Sequence, residues 1–135
     1  GKCAEMLGGA DRVLEMTTEY VKERVQFGRP IGSFQAVQHH CANMATDVEG
    51  CRYVAYQAAW RVSERLPAER EVAIAKAWVS DAYRRVCALG HQSHGAIGFT
   101  KEYDLQLFTR RAKVAEVAYG DTDFHREQVA VGMGL

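Results

Sequence analysis

The 135-residue sequence has only two prolines, Pro30 and Pro67, and no Asn-Gly or Asp-Gly pair. Those pairs are the strongest short-range signals for tight β-hairpins, and their absence from an alanine-rich chain argues for helices. Net charge is missing too, since 17 Lys and Arg balance 17 Asp and Glu. A general nucleic-acid binder needs a cationic excess to neutralise phosphates, so that class is set aside. No apolar run approaches bilayer-spanning length, so no membrane partner is expected. The opening residues show no basic segment followed by an apolar one, so no export signal is expected. Cys3, Cys41, Cys51 and Cys87 form no Cys-x-x-Cys pair. All four fall within apolar helical patterns and read as reduced core residues, which suits a cytoplasmic location.

What is present fits one globular domain spanning residues 1–135. Apolar residues supply 47% of the chain and charged residues 25%, enough to build a hydrophobic core and a soluble surface. Cys3, Met6, Leu7, Ala10, Val13, Leu14, Tyr20 and Val21 recur at three and four, which predicts a helix from roughly Lys2 to Val25. That pattern is established at the first residues without a cap, as expected of a chain cut from a longer polypeptide. Phe27-Gly28-Arg29-Pro30-Ile31-Gly32 breaks it. Ser33 is the expected N-cap of a second helix running from Phe34 to about Glu64, its hydroxyl accepting from an orphan N–H. Pro67 is expected in the first turn of a third helix, about Ala68 to Ser93. That helix is apolar nearly all round, as a centrally buried one would be. His94-Gly95-Ala96-Ile97-Gly98-Phe99 is a second break. A fourth helix is expected over about Lys101 to Val117, and Asp121 or Thr122 would cap a short last one through Val129. Short connections between long helices give an all-α fold, an up-down four-helix bundle plus a short C-terminal helix.

Three clusters invite chemical readings. Cys87, His91 and His94 share one side of a helix end and make a candidate metal set. Imidazoles near a helix's last carbonyls are the simpler explanation, and no metal is expected. Gly95-Ala-Ile-Gly98 follows a helix rather than a strand, the wrong context for a dinucleotide fingerprint. Arg84, Arg85, Arg110, Arg111 and Lys113 form either an anion-binding patch or a solvated face.

Three segments together are more specific. Tyr20-Val-Lys-Glu-Arg24-Val-Gln-Phe27-Gly-Arg-Pro-Ile31-Gly-Ser-Phe-Gln35 resembles the acyl-CoA dehydrogenase signature, in which a helix ends in Arg-x-x-Phe-Gly and the next begins near a Gln. Gln92-Ser-His-Gly95-Ala-Ile-Gly98 is similar to that family's Gln-x-x-Gly-Gly-x-Gly turn, with Ala96 replacing the second glycine. Arg110-Arg-Ala-Lys113 followed by Tyr119-Gly120 is similar to its Arg-Asp-Ala-Lys and Glu-Gly-Thr segments. Order and spacing match over nearly the whole chain.

The resemblance implies the C-terminal bundle of a three-domain flavoprotein that dehydrogenates acyl-CoA thioesters at the α,β bond. Its electrons would pass to an electron-transfer flavoprotein, and its bundles would assemble as a homo- or hetero-oligomer. Arg24 and Phe27 would reach the FAD of a neighbouring subunit, Arg24 being suited to the pyrophosphate. Ile31, Gln35, Gln92 and Gly95 fall at further FAD-contacting positions. The backbone N–H of Tyr119 would polarise the thioester carbonyl, with Gly120 beside it in the substrate site.

Tyr119 also stands where the family's Glu base is expected. A phenol with an ordinary pKa of about 10 is a poor base near neutrality. Three explanations fit. The base is supplied upstream of residue 1, or by a partner subunit, or not at all in a relative with different flavin chemistry. The second is preferred, because Ala118-Tyr-Gly-Asp121 resembles subunits of heteromeric dehydrogenases.

Overall fold

Helix α1 occupies Lys2–Glu23 and buries the stripe Met6, Leu7, Ala10, Val13, Thr17 and Val21. A computed structural model describes all of residues 1–135. Thr17 keeps its place in the stripe by donating its hydroxyl to Val13 O at 2.7 Å within the same helix. The chain reverses through a two-residue hairpin in which β1 (Val25–Gln26) pairs antiparallel with β2 (Arg29–Pro30). Phe27 and Gly28 form its tip with φ of 54° and 79°, the positive angles that a tight two-residue turn demands. This ribbon is the one departure from an all-helical chain. It lacks the usual Asn-Gly signal because a phenylalanine takes the left-handed position.

A short 3-10 turn over Ile31–Ser33 leads into α2, Gln35–Ser63. Ser33 does not cap it. The Ser33 hydroxyl donates back to Pro30 O at 2.7 Å, and Phe34 holds the cap position with no side-chain bond. Helix α3 spans Glu69–His94 and begins two residues beyond Pro67, with Ala68 at the cap. It is the central helix and packs against all the others. Along it Ala75, Val79, Ala82, Tyr83, Val86 and Cys87 are buried, although Trp78 stays nearly half exposed. A 3-10 turn, Gly95–Phe99, follows. Helix α4 is Leu105–Val117 and starts a turn later than the sequence suggests. Asp121 caps the last helix, α5 (Thr122–Gly132), its Oδ1 accepting from Phe124 N at 2.9 Å.

Helices α1 to α4 alternate in direction. Met6, Val13, Met44, Val48, Val79, Tyr83, Val86 and Leu105 fill the space between them. Helix α5 folds back along the first half of α3, tied there by the Arg126–Asp81 ion pair at 2.6 Å. The consequence for function is positional. The α1–α2 hairpin and the α3–α4 turn lie at one end of the bundle, and the α4–α5 turn lies at the other.

Candidate functional site

At the hairpin end, Arg24 closes α1. Its N–H donates to Tyr20 O at 2.9 Å and its carbonyl accepts from Ile31 N at 2.8 Å, so both edges of its backbone are fixed. No carboxylate pairs with its guanidinium. Phe27 is 92% exposed at the hairpin tip. A bulky aromatic held at positive φ and turned to solvent combines backbone strain with exposed apolar surface, and neither stabilises the fold. Its ring meets Phe34 edge-on at 6.0 Å, and the Arg29 guanidinium lies 4.1 Å over the Phe34 ring. Ile31 is half-buried beneath, and Gln35 is exposed on the first turn of α2.

Gln92 and Gly95 reach the same end from α3. Gln92 is exposed on the last turn. Gly95 ends the helix at φ 65° and ψ −143°, a conformation nearly reserved for glycine, and open space lies where its Cβ would stand. Tyr20 joins the two segments. Its ring stacks on His94 at 4.4 Å, and its hydroxyl donates to His94 O at 3.5 Å.

The histidines that looked like metal ligands instead fix the Gly95–Phe99 turn. His94 Nδ1 donates to Gly90 O at 2.8 Å and Nε2 accepts from Tyr103 Oη at 2.9 Å, so both ring nitrogens are engaged. His91 Nε2 bonds Thr109 Oγ1 at 2.6 Å, and its ring stacks on Phe99 at 4.4 Å. Burial pushes both imidazoles below their ordinary pKa, and pushes the Cys87 thiol up to about 12. A thiol kept protonated is a poor metal ligand. No group of three or more His, Cys, Asp or Glu side chains converges anywhere in the chain.

The supposed basic patch is dispersed by ion pairing. Arg84 and Lys113 both bind Glu116, at 2.6 and 3.0 Å. Arg85 binds Asp47 at 2.6 Å, and Arg111 reaches Glu5 at 3.2 Å. Of the five cations only Arg110 lacks a carboxylate.

Tyr119 and Gly120 lie at the far end. Eighteen residues of α3 separate Lys76, beside Gly120, from His94, which at about 1.5 Å per residue is roughly 27 Å. The structure therefore brings Arg24, Phe27, Ile31, Gln35, Gln92 and Gly95 to one end and leaves Tyr119 and Gly120 apart from them. Tyr119 (φ 62°) is 82% exposed, and Gly120 follows at φ 94°. Tyr119 borders a cleft of about 520 Å³ whose wall includes Cys3, Glu5, Val72, Lys76 and His125. Asp121 is committed to its cap.

Sequence reasoning missed Lys76. Its side chain is buried to 3% exposure and its pKa is lowered by desolvation. Nζ donates to Ser80 Oγ (3.1 Å), Glu116 O (2.8 Å) and Gly120 O (2.9 Å), which uses all three ammonium hydrogens. A lysine inside the apolar run Val72-Ala73-Ile74-Ala75-Lys76-Ala77-Trp78-Val79 was the available signal.

The fold is thus a helical bundle with a strained aromatic hairpin and a glycine turn at one end and a cleft at the other. Residues 1–134 match the family model described as the acyl-CoA dehydrogenase C-terminal domain, and the chain belongs to that family. Among curated relatives, the probable acyl-CoA dehydrogenase YngJ of Bacillus subtilis is 37% identical over 124 residues, covering 92% of this chain and 33% of that protein. Among solved structures, the FAD complex of PigA superposes with a TM-score of 0.94 at 31% identity, over 98% of this chain and 35% of the other. The ChsE4–ChsE5 complex from Mycobacterium tuberculosis gives 0.94 at 38% identity, over 98% and 36%. The chain thus spans about a third of the length of the relatives it matches. No helix is long and apolar enough to cross a membrane.

Proposed function

We propose that residues 1–135 are the C-terminal bundle domain of a longer FAD-dependent acyl-CoA dehydrogenase, inactive alone and active within the complete oligomer. The observation that carries this reading is the hairpin end, where an unpaired guanidinium and an exposed aromatic at positive φ are held at cost to the fold. These groups fit FAD. Arg24 suits the pyrophosphate and Phe27 the flat apolar ring system, with Ile31 and Gln35 beside them. Gln92 and Gly95 suit the adenosine end, where the open space over Gly95 admits close backbone approach. When bound, FAD accepts the β-hydride of the acyl chain. At the other end the Tyr119 N–H polarises the thioester carbonyl, which acidifies the α-proton, with Gly120 lining the same site. An electron-transfer flavoprotein would take the electrons onward. Exposed Tyr53, Tyr56, Trp60 and Trp78 supply surface for neighbouring subunits. Thiols that are buried or half-buried suit a reducing compartment such as the cytoplasm.

A second reading gives this chain a structural role in a heteromer, with the base on a partner subunit. Tyr119 at the Glu position favours it, as does the likeness to a relative solved as a two-protein complex. One preparation tests both. The full-length protein is purified from its source, flavin content is measured for wild type and Arg24→Ala, and co-purifying chains are identified. Loss of a charge-assisted bond predicts FAD affinity lower by roughly tenfold or more in the variant. Unchanged retention would remove Arg24 from the flavin site. Full activity of the homomeric protein would remove the partner subunit.

A further inference from the structure

The Tyr119–Gly120 turn is held by its carbonyls. Lys76 Nζ donates to Glu116 O and Gly120 O, one on each side of the turn, at 2.8 and 2.9 Å. His125 Nε2 donates to Tyr119 O at 2.9 Å, within the turn. The N–H groups of Tyr119 and Gly120 make no hydrogen bond to any other group of the chain. A planar trans peptide sets the Gly120 N–H opposite the Tyr119 carbonyl, so the bond to His125 also aims that N–H away from His125. The Tyr119 N–H lies between the two carbonyls that Lys76 anchors. The ammonium has no carboxylate partner, only Ser80 Oγ as its third acceptor at 3.1 Å. A buried cation bonded only to neutral oxygens is an expensive way to stabilise a loop unless the loop's geometry matters.

We propose that Lys76 and His125 are positioning residues, which draw the carbonyls of this turn inward and leave its two N–H groups as a preorganised donor pair for a thioester carbonyl. This inference rests on the acyl-CoA reading and assigns to two side chains in the cleft wall roles that act through the carbonyls of the turn. Donors fixed in advance need no reorganisation when charge develops on the oxygen, which is why anchoring the backbone matters to the chemistry.

A carbonyl-specific binding comparison tests it. The full-length flavoprotein, with its partner subunit where it has one, is titrated with trans-2-octenoyl-CoA, a thioester already dehydrogenated. The same titration is made with S-octyl-CoA, a thioether without the carbonyl. Wild type should prefer the thioester. Lys76→Met should lower that preference roughly tenfold and leave thioether affinity unchanged. A structural defect alone would weaken both ligands equally and overturn the role. His125→Leu touches a half-exposed residue and keeps the question open to test if Lys76→Met fails to fold. It should lower the preference as well, with partial recovery in His125→Gln, which restores a donor. Unaltered preference in Lys76→Met and His125→Leu would overturn the proposal. Absence of any thioester preference in wild type would instead overturn the acyl-CoA reading beneath it.

Discussion

Gly98→Ala is the sharpest test of how the Gly95–Phe99 turn is seated. An added methyl at Gly98 would stand 3.1 Å from His94 Cβ, 3.2 Å from His91 Nδ1 and 3.2 Å from Leu105 Cδ2. None of these neighbours can yield easily. His94 is held at both ring nitrogens, His91 is clamped between Thr109 and Phe99, and Leu105 is fully buried. Overpacking a site that cannot relax costs about 1–3 kcal/mol. At about 2.1 cal/mol/K per residue, a chain of this size has an unfolding entropy of about 0.28 kcal/mol/K, so each kcal/mol moves Tm by ~3.5 °C. The expected drop is roughly 4–10 °C by calorimetry or thermal circular dichroism. The turn should also shift outward, so flavin retention by the full-length protein should fall with Tm. A Tm within about 1 °C of wild type would refute the claim that the two histidines form a rigid floor under the turn.

Three further outcomes follow from buried polar groups. The Tyr83 hydroxyl is buried without a partner, so Tyr83→Phe should raise stability by about 1 kcal/mol in urea unfolding, and a loss of that size would reveal a partner for the hydroxyl. His91 and His94 are held neutral in the fold, whereas unfolded histidine titrates near 6.5, so the unfolded chain binds more protons just below that pH. Stability should therefore be full above about pH 6.5 and fall as the pH drops from there toward the folded values, and a urea midpoint that stays flat from pH 7.5 to 5.5 would contradict this. Glu116 acts in a lower window. Burial opposes its ionisation, but hydrogen bonds from Lys113 and Arg84 hold its carboxyl below the ordinary value, so its contribution is lost only below about pH 4.5.

The long helices were legible because burial imposes its period on the sequence. The α1 stripe from Met6 to Val21 and the all-round apolar character of α3 needed no structure to be read. The ends were less legible because caps depend on where one side chain turns. Ser33 had the chemistry of an N-cap and spent its hydroxyl on Pro30 instead. Asp121 had the same chemistry and became one. The hairpin escaped notice because Phe27 occupies a conformation that propensity assigns to Gly or Asn. Periodicity alone gave no candidate site, and the family motifs supplied every residue of it. Lys76 and His91 lie outside these motifs, and His94 falls at a variable position of one. Their roles arise from partners 40 and 44 residues away for Lys76, and 9 and 18 for the histidines, which spacing along one helix does not reveal.

Under the proposed function, the separation of the two ends bears on why Tyr119 stands where a Glu base is expected. Arg24 and Phe27 stand at one end of α3 and Tyr119 at the other, roughly 27 Å apart along the helix. Under the same proposal, contacts at the two ends belong to different active sites: the flavin-contacting groups would serve a neighbour while the chain's own cleft would take its own substrate. Under that arrangement the two ends answer to separate constraints. On the proposed reading, a subunit with Tyr119 at the position of the base would lose proton abstraction in its own cleft but would still complete the flavin site next door. That would account for a chain with a strained, exposed hairpin and with Tyr119 at the position proposed for the base. It also makes the proposed Lys76–His125 anchor informative. In a subunit that neither binds nor turns over a thioester, only its three hydrogen bonds offset the desolvation of the buried ammonium. A functional anchor beside Tyr119 would mean that this cleft still grips a carbonyl, and that only the base has moved elsewhere.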